Sequence, residues 1–358
     1  MDHASPFAAP PVAASQPVAH PLVRARVTGR VAGLALGAAA VAALAVLSLG
    51  LGAADLDVPS VIRAFAAPDG SSAHLIVTEI RLPRMLVALV VGIALGLSGV
   101  VMQGVTHNPV ADPGFLGINA GAALAVALGI LVGVAQPGGY VWFALAGAAV
   151  ATVVVALLGS VGRGRPSPVR LALAGAVVAA LCSAVTSTIL VVDDSTLDRF
   201  RFWNVGSLAG RGYDDLAAIV PFVVAGTVVA LALGRSINGL ALGDDLAASL
   251  GQRVQATRAA AGLAIVLLAG ASVAAAGPIA FAGLAVAHVA RILTGNDYRW
   301  ALAYALVLGP ALLLVADLVG RVVARPSELE VGIVTALVGA PILVWLVRRR
   351  GGLERTAS

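Results

Sequence analysis

Asp317 and Arg321 stand four residues apart near one end of the apolar run LLLVADLVGR. An acid inside a membrane segment suggests a proton relay. At helical spacing and close to the interface the two side chains share one face, so a structural ion pair suffices and is the preferred reading. No other acid or histidine lies mid-run to continue a relay, and His288, near the end of its own run, reads as structural. No His, Cys, Asp or Glu residues recur at metal-ligand spacing, and no nucleophile–base set stands out. The lone cysteine, Cys182, lies in an apolar run and reads as a small core residue. All 23 basic residues are arginine. A phosphate-binding loop needs its lysine, so if ATP drives this protein another chain hydrolyses it. The chain reads as a non-enzyme with no cofactor of its own.

Such residues must be positioned by helices in lipid. Of 358 residues 59% are apolar and 11% charged, too much apolar surface for a water-soluble domain to hide. The apolar runs are continuous rather than alternating, which favours helices over a barrel. They fall near 31–51, 83–104, 116–134, 141–161, 169–190, 215–234, 257–276, 279–292, 300–323 and 331–348. The fold class is therefore all-α and polytopic, with about ten crossings, the eighth of them short. Residues 1–28, rich in Ala and Pro, read as a disordered tail, 29–350 as the membrane domain and 351–358 as a second tail. The first run exceeds a usual signal-peptide core, and the chain beyond it is also apolar, so it reads as a span.

Charge sets the orientation. Arg63, Arg81, Arg84, Arg199, Arg201, Arg211, Arg321 and Arg325 lie on one side, and the other 15 arginines lie in the tails and the opposite loops. The positive-inside rule puts both termini in the cytoplasm. Scattered through loops, the arginines that raise the pI to about 10.3 speak for topology rather than for nucleic acid.

Three stretches exceed what spanning requires. In residues 81–121 two arginines precede a run thinned by Gly92, Gly96, Ser98 and Gly99, and Asn108-Pro109 and Asp112-Pro113-Gly114 then turn a short polar corner. The cytoplasmic loop of about 235–257 contains LALGDDLAASLG from Leu240 to Gly251. There Gly243 can stop one short helix and Asp244 or Asp245 can cap the next, with Leu246, Ala247 and Leu250 on one face. Such a helix either rests on lipid or docks in a partner's groove. On the outer side, 191–214 mixes acids, arginines, Phe200, Phe202 and Trp203, as an interfacial anchor or a helix near a substrate entry would.

The segments RLPR, GVVMQG, HNPVADPGFLG, LALGDDLAASLG, AGPIAFAGLAVAHVAR, VADLVGR and SELEVGIVTALVGAP occur in order between about 75 and 348. Together they resemble the FecCD-type permease subunits of bacterial type II ABC importers, which carry iron–siderophore complexes, haem or cobalamin. The resemblance implies ten helices, a second permease copy or paralogue, separate ATPase subunits holding ATP and Mg, and an extracytoplasmic substrate-binding protein. It implies that Leu240, Gly243, Asp244, Leu246, Ala247, Leu250 and Gly251 form the coupling element on the ATPase. It also implies that Arg81, Arg84 and Arg321 dock the binding protein, and that Asn108, Val110, Ser167 and Pro168 belong to a cytoplasmic gate. Pro168 and Val169 depart from the hydroxyl residues common there, Ala287 stands where a proline usually precedes His288, and Glu330 replaces another proline. Siderophore is the first substrate expected, with haem or cobalamin the alternative. An ion-coupled secondary transporter is the reading from another class.

Overall fold

The computed structural model describes residues 21–52, 56–67, 69–134, 139–160, 168–325 and 327–341. The described elements are helices and turns. In order they are α1 (Pro21–Gly50), α2 (Val58–Ala66), α3 (Ser72–Leu75) with a π-helical turn (Ile76–Arg81) leading into α4 (Leu82–Thr106), and a 3-10 turn (Pro113–Leu116). There follow α5 (Ile118–Leu131), α6 (Tyr140–Ser160), α7 (Pro168–Val192), α8 (Asp194–Asn204), α9 (Tyr213–Ala232), α10 (Gly234–Leu240) and α11 (Asp244–Ser249). The last are α12 (Val254–Ala276), α13 (Ala282–Thr294), α14 (Tyr298–Val323) and α15 (Val331–Pro341).

Seven helical stretches are long and apolar enough to cross a membrane, and α5, α13 and α15 are shorter apolar helices. Each of the ten expected runs therefore meets one helix. Two boundaries differ from expectation. Helix α1 already begins at Pro21, inside the stretch read as a disordered tail. Helix α5 is only 14 residues long, because Gly117 before it and Gly133 after it both take positive φ. The short α13 begins late for a similar reason: Gly277 and Phe281 both have positive φ and interrupt the chain. The tail at 351–358 lies outside the described residues.

Helix α4 is the hub. Of its most apolar stretch 78% is buried inside the protein, against 6% for α1, which packs on the rim of the bundle against α14. Its glycines explain the burial. A Cβ on Gly92 would lie 2.6 Å from the backbone nitrogen of Pro310 on α14, and one on Gly99 would collide with the Gly283 carbonyl on α13. Lipid tails supply no hydrophobic drive between helices, so close backbone packing has to hold them together. Helix α14, carrying Pro310 within it, lies directly against the Gly92 surface of α4.

Polar contacts sort the helix ends into two faces. On one, Arg30 of α1 donates to the Thr294 carbonyl at the end of α13, and Tyr304 of α14 donates to the Arg30 carbonyl. On the other lie the end of α1, the starts of α4 and α9, and the end of α14. There Tyr213 donates to the Thr78 carbonyl at 2.8 Å.

Candidate functional site

The first face carries the platform formed by α10 and α11. The loop joining them needs Gly243, whose φ of 100° is open essentially to glycine alone. Gly243 is itself the N-terminal cap of α11, and the expected capping acids fall in its first turn, where they favour the positive end of the helix. Asp244 pairs there with Arg258 of α12 at 3.0 Å. Asn238 on α10 donates to Asp297 and accepts from the Tyr298 amide, both at 2.8 Å, which ties the platform to the start of α14. Gln252 donates to the Ser236 carbonyl at 2.7 Å. His107 Nε2 lies 2.8 Å from the Leu240 carbonyl.

Anchored in this way, the platform presents an apolar ridge. Leu242, Leu246 and Leu250 are 60%, 50% and 69% exposed, while Leu240 and Ala247 are fully buried. The expected single face of Leu246, Ala247 and Leu250 is thus divided. Ala247 turns toward the protein interior, and Leu242 joins the outward leucines. The spacing of four residues through 242, 246 and 250 is visible in the sequence, and counting from Leu242 would have found it.

The Asn108–Gly117 corner lies beside the platform. Helix α4 ends on His107, which has φ 52° and ψ 24°, a left-handed conformation in which histidine is enriched among non-glycine residues. Asn108 Oδ1 accepts from the Val110 amide at 3.1 Å, and Asp112 Oδ1 accepts from Gly114 at 2.8 Å. These side-chain bonds replace the ladder that the two prolines break. Burial pushes the Asp112 carboxyl above its ordinary range, opposed by the Gly114 hydrogen bond. The corner packs on α6 and α7 through Leu116, and a Cβ added to Gly117 would lie 3.6 Å from the Val178 side chain. Pro168 opens α7, where its fixed φ suits a first helical turn, and Ser167 lies outside the described residues.

On the opposite face the three arginines expected to meet a binding protein are turned inward. Arg81, Arg84 and Arg321 are 5%, 8% and 2% exposed. Arg81 donates to the carbonyls of Leu49 and Gly50 at 2.7 and 2.6 Å. Arg84 pairs with Asp317 and with Glu328, each at 2.7 Å. Arg321 pairs with Asp317 and donates to the Ser48 carbonyl at 3.0 Å. Two guanidinium groups thus cap the orphan carbonyls that end α1, where positive charge is favoured. The Asp317 carboxylate joins one of these, Arg321, to Arg84. The cluster locks α1, α4 and α14 together, and the three arginines expected to meet a binding protein present little exposed guanidinium surface. Glu328 and Ser48 were not apparent in the sequence, because both lie far along the chain from the arginines they serve.

Among the described residues no group of three His, Cys, Asp or Glu side chains could hold a metal ion.

The FecCD transport family model matches residues 40–349. The ferric enterobactin transport system permease protein FepD of Escherichia coli (strain K12) is 47% identical over 310 residues, covering 86% of this chain and 92% of that protein. The hemin transport system permease protein HmuU of Yersinia pestis is 38% identical, over 76% of this chain and 83% of that one. A solved metal-chelate type ABC transporter in an inward-facing conformation superposes with a TM-score of 0.77 at 29% identity, covering 88% of this chain and 98% of that chain. A membrane-spanning helical bundle, the family match and these relatives agree, and the chain belongs to the FecCD transport family as a multi-pass membrane permease.

Proposed function

We propose that this chain is half of the membrane path of an ABC importer that carries an iron(III)–siderophore complex into the cytoplasm. A second copy or a paralogue supplies the other half. ATPase subunits holding ATP and Mg bind the α10–α11 platform, and an extracytoplasmic substrate-binding protein delivers the cargo. Both termini are cytoplasmic, as the arginine distribution favours. The observation that carries this reading is the leucine ridge on an anchored platform. A helix that only rested on lipid would have no need of bonds to α4, α12 and α14, whereas a partner that pushes on it needs a stiff receiver. Asn108, Val110, Ser167 and Pro168 would then form part of the cytoplasmic gate, at the corner beside that receiver. The likeness to an enterobactin permease favours siderophore, and the likeness to a hemin permease makes haem the second reading. With Arg81, Arg84 and Arg321 turned inward, docking of the binding protein falls to exposed charges on that face, such as Arg199 and Arg201 of α8.

The test is uptake into proteoliposomes holding the permease, its ATPase and its binding protein, with ferric enterobactin, ferric citrate and haem offered in turn. ATP-dependent accumulation of a ferric siderophore supports the proposal. Accumulation of haem alone selects the second reading. Uptake driven by an ion gradient with no ATPase subunit would overturn both.

A further inference from the structure

We propose that His107 is a positioning residue that latches the gate corner to the ATPase-binding platform; the inference rests on the ABC reading above. The Leu240 carbonyl ends α10 and accepts two hydrogen bonds, from the Gly243 amide at 2.9 Å and from His107 Nε2 at 2.8 Å. A carbonyl only accepts, so Nε2 carries a proton. One helical turn earlier, Gly104 brings α4 so close to α10 that a Cβ there would lie 2.5 Å from the Ile237 side chain. Ile237 and Leu240 are both fully buried and three residues apart on α10, so packing and hydrogen bond meet α4 along one side of that helix.

The other anchors of the platform run to Asp297 before α14 and to Arg258 of α12. Among the described contacts, the His107 bond is the one made by a residue adjoining the corner. The corner is internally braced. Ala111 donates to the Asn108 carbonyl at 3.1 Å and Gly117 to the Gly114 carbonyl at 3.0 Å, in addition to the Asn108 and Asp112 side-chain bonds. A displacement delivered at His107 therefore carries Asn108 to Gly117 as one piece. The left-handed backbone at His107 would suit glycine, and the ring's bond to the Leu240 carbonyl gives a reason for histidine there instead.

The experiment uses the full permease–ATPase complex in lipid nanodiscs, with Cys182→Ser and, at a partly exposed corner residue whose side chain braces nothing, Val110→Cys in the permease. Thiol labelling of the new cysteine is followed without nucleotide and in the ATP–vanadate trapped state. His107→Gly keeps the left-handed backbone and removes the ring. It is expected to shrink the nucleotide-dependent change in labelling rate by about fivefold, the weight of one neutral hydrogen bond. ATPase subunits should still co-purify and hydrolyse ATP. His107→Asn also tolerates this backbone but falls short of Leu240 and should behave like glycine, so it serves if glycine loosens the corner. His107→Gln restores a long donor and should recover part of the response. A response in both the glycine and asparagine variants equal to that of the His107 parent overturns the latch alone. A parent that neither responds to nucleotide nor shows ATP-driven ferric enterobactin, ferric citrate or haem uptake overturns the ABC reading and the latch with it.

Discussion

Arg84 and Asp317, 233 positions apart, meet in a buried ion pair at 2.7 Å whose carboxylate is shared with Arg321. Three helices end at this point, and charge rather than apolar contact joins them. Asp317 lies within the hydrocarbon-length part of α14, where an unpaired arginine is costly. Its carboxylate neutralises one guanidinium directly while Glu328 answers the other side of Arg84, and the carbonyls at the end of α1 take up the remaining donors.

Removing that carboxylate leaves two buried cations facing each other. Asp317→Asn is expected to destabilise the permease by about 3–5 kcal/mol, the range for breaking one side of a buried pair. Glu328→Gln, at the half-exposed rim of the cluster, should cost about 1 kcal/mol or less. Thermal unfolding of the purified protein in detergent measures both. Equal effects would show that the cluster is not centred on Asp317.

The divided platform predicts two kinds of damage. Leu246→Asp or Leu250→Asp alters only outward surface, so the permease should keep its thermal stability and lose ATPase subunits on co-purification by about tenfold or more, as central interface residues do. Leu240→Asp buries an unpaired carboxylate and should destabilise the permease itself by several kcal/mol. Retention of the ATPase by the Leu246 and Leu250 variants would remove the ridge from the interface.

Helix number and the platform were legible because they depend on local pattern. Apolar runs, the Asp-Pro-Gly and Asn-Pro breaks and LALGDDLAASLG are each read within a few residues. The inward turn of Arg81, Arg84 and Arg321 was not legible. Arginines beside an apolar run read equally as headgroup anchors, docking contacts or core partners, and the choice depends on residues more than 200 positions away, such as Asp317 and Glu328 for Arg84. The early start of α1 was hidden by Ala and Pro composition, which is common to disordered tails and to a helix opened by Pro21. Ala247 was misplaced because a six-residue helix offers too few positions for its apolar pattern to fix a face.

Asp297 gives the platform a pH dependence of known sign. The Arg299 guanidinium, joined by the Asn238 amide, holds its carboxyl below the ordinary carboxylate range, against the opposing effect of partial burial. A depressed carboxyl contributes stability that is present above the unfolded-state value and lost as pH falls through the folded one. The stability gap between the parent and Asp297→Asn should therefore be constant from neutral pH downward and begin to close only near pH 4 (about 3.9 for an unperturbed Asp). Thermal unfolding across a pH series measures the gap, and a gap that closes around pH 6 to 7 would assign it to another group.

Two glycines separate packing from propensity in the same assay. Gly99 sits against Gly283, where an added Cβ meets backbone that cannot rotate away. Gly99→Ala should therefore push α13 off α4 and cost about 1–3 kcal/mol, as overpacking does. Gly262 lies within α12 with nothing within 4 Å of a built Cβ. There alanine adds no contact and removes only the entropic penalty of glycine in a helix, so Gly262→Ala should stabilise by about 0.5–1 kcal/mol. The opposite signs matter more than the sizes. If both substitutions stabilise, α4 and α13 are not held at backbone contact, and the close approach that makes α4 the hub of the bundle is wrong.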